Sequence, residues 1–166
     1  MMNLREQLHL ALLTAISLVL FLVEGLIPLP FIAPGAKLGL ANIVTVYALY
    51  TLPRTRDTLL LIYLRTLLAA FFGGGPAIFL FSIAGGLLSL LCMWLLKRTG
   101  RFSLLGVSAA GGFAHHLGQL FMAAYAADSL NIFRYLPVLG PCGIVTGLII
   151  GWLAAKICHL APDKHS

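Results

Sequence analysis

Long apolar runs separated by short polar breaks set the architecture of this chain. A bilayer-crossing helix needs roughly 20 apolar residues. The runs predict spans at about 8–27, 38–52, 58–72, 77–96, 104–127 and 138–157. Pro28-Leu29-Pro30 ends the first run, and Pro53-Arg54-Thr55-Arg56-Asp57 reads as a turn that supplies an N-cap for the third. Gly73-Gly74-Gly75-Pro76 reads as a tight reversal, and Lys97-Arg98 stops the fourth run. The second run is short unless the loop before it dips into the membrane. The pattern predicts an all-α membrane protein, a six-transmembrane-helix bundle forming one integral domain over 1–166, with no convincing internal repeat.

Composition agrees with the pattern. The chain has 166 residues, 60% hydrophobic and 10% charged, and its mean hydropathy is +1.00; a soluble domain carries about 25% charged residues. Six spans leave no room for a soluble catalytic domain. The first run follows Arg5 but exceeds a typical signal-peptide core and lacks an Ala-x-Ala-like site before Glu24, so it reads as a retained span. Cys92, Cys142 and Cys158 are far apart, in or at the end of apolar runs, and fit packing better than a metal or disulfide framework.

Basic residues set the expected orientation. Arg5, Arg54, Arg56, Lys97, Arg98, Arg101, Lys156 and Lys164 fall on the side of the two termini, while Lys37 and Arg134 fall on the other and Arg65 lies inside a span. The positive-inside rule then places both termini in the cytoplasm of a bacterial cell, with the chain multi-pass in its membrane. The same asymmetry accounts for the pI near 9.6, and no basic, aromatic-interleaved module for nucleic acid is present.

Orientation assigns a depth to each polar residue. Glu24 falls near the outer end of the first span, Lys37 and Asn42 near the outer start of the second, and Arg65 around the middle of the third. His115, His116 and Gln119 occupy the middle and outer half of the fifth. A charge at the bilayer centre costs roughly 2.5–3.5 kcal/mol on insertion scales, so Arg65 needs a partner or a wet cavity. Glu24 is one candidate partner and an anionic ligand is the other. Gln119 stands at i+4 from His115 and i+3 from His116 and can share a face with either, whereas the two histidines point about 100° apart. One of them is expected to meet a ligand, against the alternative of interhelical hydrogen bonding. Gly111, Gly112 and Gly118 either allow close helix packing or make room for a ligand. Lys37 and Arg134 are pocket candidates or solvated loop cations. The glycines at 73–75 lack the Lys-Ser/Thr pair of a P-loop, and no carboxylate or thiolate completes a zinc set with the histidines. No metal or cofactor is expected.

Three segments carry a resemblance: Pro34-Gly35-Ala36-Lys37-Leu38-Gly39-Leu40-Ala41-Asn42-Ile43, Gly73-Gly74-Gly75-Pro76 with Phe81-Ser82-Ile83-Ala84-Gly85-Gly86, and Ala114-His115-His116-Leu117-Gly118-Gln119. Together they resemble the Gx transporter family, also catalogued as heptaprenyl diphosphate synthase component I. The layout is similar to the S components of energy-coupling factor transporters. That resemblance implies six helices, cytoplasmic termini and an outward pocket partly covered by the first loop. It also implies Ala11 and Ala15 in span one as a docking pair for a coupling subunit, and Lys37 and Asn42 as pocket residues. Some S components carry acidic residues where Gly39 and Asn42 stand here.

The expected function is substrate binding in a small-solute, vitamin- or cofactor-like transporter. Its solute is anionic or polar aromatic and its site is built from Glu24, Lys37, Asn42, Arg65, His115, His116, Gln119 and Arg134. Transport would draw on a transmembrane coupling subunit and separate ATPase subunits, since no Walker motif is present. The alternative is a non-catalytic membrane component associated with heptaprenyl diphosphate synthase and isoprenoid-quinone biosynthesis. Catalysis by the chain alone is not expected: prenyl diphosphate synthases hold Mg²⁺ through closely spaced aspartates, and Asp57, Asp128 and Asp163 lie on different segments. A third class, an accessory subunit of a membrane redox complex, would carry a bound flavin or quinone.

Overall fold

A computed structural model describes residues 3–26, 39–73 and 75–160. These form six α-helices, α1 (Leu4–Leu26), α2 (Ala41–Thr51), α3 (Thr55–Gly73), α4 (Gly75–Thr99), α5 (Leu104–Ala126) and α6 (Leu136–Leu160), with a short 3-10 turn over Leu130–Tyr135 before α6. The expected stop at 28–30, the loop at 34–38 with Lys37, Gly74 and Lys164 lie outside the described residues.

Local chemistry explains where the helices begin. Asn3 and Glu6 form a reciprocal capping box, Asn3 N–H to Glu6 at 3.0 Å and Glu6 N–H to Asn3 at 2.8 Å, so α1 starts ahead of its apolar run. Ser103 caps α5 by accepting from the Gly106 N–H at 3.2 Å. The third helix begins at Thr55, within the turn expected to cap it, so Asp57 sits inside its first turn. At the α3–α4 reversal Gly75 takes φ +74°, a conformation that favours glycine.

The helices close into a ring in the order α1, α3, α4, α5, α6, α2, with α2 also touching α3 across the interior. Val46, Leu49, Ile62, Leu90, Met93, Val107, Ile150 and Ala154 form the main apolar core. A second cluster joins α1 to α2 and α3 through Leu10, Leu13, Val44, Ala48 and Leu61. The most extensive seam is α5 on α6. A Cβ on Gly147 or Gly151 would fall on the Ser108 backbone carbonyl or on Leu105 Cα, and one on Gly112 would meet the Gly143 carbonyl. Small residues at this spacing bring helix backbones into contact, and Ser108 Oγ donates to the Gly147 carbonyl at 2.7 Å.

The outside of the bundle is apolar. Leu8, Leu12, Ile16 and Val19 stand exposed along α1, with Leu87, Leu91 and Leu95 on α4 and Val145, Leu148, Ile149 and Trp152 on α6. Among the described residues, three helical segments are long and apolar enough to cross a membrane: Leu4–Leu26, Gly75–Thr99 and Leu130–Cys158. An outer face this apolar over a core that buries Arg65, Glu24 and His116 is the pattern of a protein whose surroundings are lipid.

Candidate functional site

Four helices, α1, α2, α3 and α5, send polar side chains toward one region of the ring. Arg65 of α3 is 3% exposed and Glu24 of α1 is 3% exposed. Glu24 accepts the Gly39 N–H at 2.5 Å and the Leu40 N–H at 3.0 Å. Leu40 precedes α2 and offers no side-chain cap, so a carboxylate from another helix satisfies these donors, where negative charge is favoured. Glu24 also interacts electrostatically with Arg65. Gly39 itself takes φ +79°, and a Cβ there would stand 3.3 Å from Asn42 Nδ2, which puts the half-buried Asn42 at the same turn.

On the other side, α4 lacks side chains where polar groups crowd in. A Cβ on Gly85 would meet His115 Cε1 at 2.9 Å and Gln119 Cγ at 3.0 Å, and one on Gly86 would lie 3.8 Å from Arg65 Nη2. Arg65 and His115 therefore approach consecutive residues of α4 from α3 and α5, and the Arg65 charge reaches His115. The two histidine rings diverge, with centroids 6.0 Å apart and planes at 74°. His116 turns to α6, where its Cδ2 lies 2.6 Å from a Cβ built on Gly143. The stem of Gln119 lies against Gly85 beside the His115 ring, on the face that the i+4 spacing gives the two side chains.

Several of these polar atoms have no partner among the described residues. Arg65 Nε and Nη2, His115 Nδ1 and His116 Nδ1 are buried without a hydrogen bond. Unmet donors on a buried guanidinium are costly. The structure thus brings together Glu24, Asn42, Arg65, His115, His116 and Gln119. Arg134 instead stands exposed on the 3-10 turn. Gly111, Gly112 and Gly118 serve close packing, against Met93, Gly143 and the Ala84 backbone respectively. Ala11 and Ala15 are exposed on the outer face of α1.

Two features escaped the sequence reading. Gly85 and Gly86 make the room that His115, Gln119 and Ile62 use, and in the sequence they stood only as part of a resemblance segment, with nothing to show what faces them. A separate groove of about 710 Å³ lies between the start of α3 and α4, lined by Arg54, Arg56, Asp57, Leu91 and Trp94. At the same end, Lys97 donates to the Leu49 carbonyl at 2.6 Å and lies over Tyr50, while Arg98 and Lys156 lie over Trp94 and Trp152.

Fold and site together define an all-helical protein of membrane character with a buried arginine and histidine cluster inside a ring of helices. Residues 13–157 match the family described as heptaprenyl diphosphate synthase component I, and the chain belongs to that family. Searches of curated proteins and of solved structures returned no match to the chain.

Proposed function

We propose that this chain is the solute-binding membrane component of a small-solute transporter, with six spans, both termini in the cytoplasm and a pocket open to the outside. The observation that carries the reading is the Arg65 guanidinium, 3% exposed, with Nε and Nη2 unpartnered among the described residues, as are the buried Nδ1 atoms of His115 and His116. Cations paired with aromatic rings at the C-terminal ends of α2, α4 and α6 support the cytoplasmic assignment of that end, since Lys, Arg, Trp and Tyr gather at membrane interfaces and cytoplasmic loops carry the cations. Exposure of Ala11 and Ala15 on α1 leaves that pair available to a coupling subunit.

The test is purification in mild detergent, followed by mass spectrometry of bound small molecules and associated subunits. Wild-type protein is expected to carry a solute that Arg65→Ala loses while still inserting in the membrane; equal retention by the variant rules out the pocket. The family's description favours a second reading, a non-catalytic membrane partner of heptaprenyl diphosphate synthase. Recovery of a soluble prenyltransferase chain supports it, and recovery of ATPase subunits supports transport.

A further inference from the structure

Resting on the solute-binding reading, we infer that the site selects a monocarboxylate, held bidentately on the side-on edge of Arg65, in preference to a phosphate. Nε and Nη2 are the two nitrogens of that edge, and both are the ones left without partners. Their parallel N–H bonds match the two oxygens of a carboxylate, a geometry lysine cannot reproduce. Glu24 is the electrostatic partner of the guanidinium.

Phosphate oxygens also fit such a fork, so charge decides between the two. Arg65 is the one side chain of fixed positive charge among the described residues of the cluster, and Glu24 already offsets it. A carboxylate adds one negative charge to this pair. A phosphate monoester adds close to two, and uncompensated charge in a low-dielectric interior is strongly disfavoured. The histidines narrow the class further. Each neutral imidazole offers one donor and one acceptor, and Nδ1 of both His115 and His116 is buried and unmet. The carboxylate therefore belongs to a molecule with a second hydrogen-bonding group facing α5.

The experiment uses full-length protein in nanodiscs, labelled with ¹⁵N-arginine, the Arg65 Nε–H resonance being identified by its loss in Arg65→Lys. Acetate, 4-hydroxybenzoate and inorganic phosphate are titrated separately at equal concentrations. The carboxylates are expected to move the Arg65 resonance at concentrations where phosphate does not. Arg65→Lys is expected to weaken 4-hydroxybenzoate binding about 10–100-fold, because one point charge replaces two aligned donors. Glu24→Gln keeps an acceptor oxygen for the α2 amides but removes the offsetting charge, so phosphate is expected to gain on the carboxylates. Equal responses to phosphate and carboxylate in wild type, no response to either carboxylate, or no phosphate gain in Glu24→Gln overturns the inference. A co-purified solute that is lost in Arg65→Ala would in that case leave the binding reading standing. A protein that carries no solute and answers no probe overturns both.

Discussion

Along the seam between α5 and α6, missing side chains let backbone meet backbone, whereas at Gly85 and Gly86 of α4 they leave space that the side chains of His115, Gln119 and Ile62 fill. At the first seam the obstacle to a Cβ on Gly112 is the Gly143 carbonyl and the Gly147 Cα, and for Gly147 it is Ser108 and Ala109 backbone. At the second, much of the obstacle is movable: the His115 ring, the Gln119 stem, the Ile62 methyl. One residue type thus does two jobs in one bundle. Between α5 and α6 it fixes the distance between helices, and on α4 it makes room for side chains of α3 and α5. In lipid, where apolar burial gives helices little reason to associate, close packing of the first kind supplies much of the association energy.

Breaking the comparison at its rigid side should cost most. Gly112→Ala forces the α5 and α6 backbones apart, and overpacking against an obstacle that cannot rotate away is expected to cost about 3 kcal/mol. Thermal unfolding followed by circular dichroism in detergent should show a clearly lowered midpoint; an unchanged midpoint means the seam yields more easily than its geometry implies.

The α4 side should respond differently. Gly85→Ala meets the His115 ring and the Gln119 stem, which can move, but also the His115 carbonyl at 2.9 Å, which cannot. A stability loss of about 1–2 kcal/mol is expected, accompanied by a disproportionate loss of solute retention as His115 is displaced. If retention survives while stability falls as far as in Gly112→Ala, Gly85 belongs with the packing glycines and the contrast dissolves.

The same contrast explains what could be read from the sequence. Arg65 was legible because a charge inside an apolar run has so few physical excuses, and the divergence of His115 and His116 followed from helical geometry alone. Six helices followed from run length, with ends displaced by up to four residues because caps such as Asn3 with Glu6 lie outside the apolar pattern. Glu24 was legible as costly but not in its role: it binds amides 15 and 16 residues away, a contact that no local pattern encodes. Glycine was the least legible of all. Gly86 on α4 and Gly112 in the seam look alike in sequence, and only the neighbour across the helix interface separates them.

A control on the whole comparison lies outside both regions. Gly25 is exposed near the end of α1, and a Cβ there meets nothing within 4 Å. With no backbone to push aside and no side chain to displace, Gly25→Ala tests helix propensity alone. Alanine is favoured by up to about 1 kcal/mol in a helix interior, and less in a last turn that can fray, so a midpoint unchanged or slightly raised is expected. A drop comparable to that of Gly85→Ala would reveal that glycine in this bundle matters for backbone freedom rather than for what stands opposite it, and both the seam and the α4 pair would then need another physical basis.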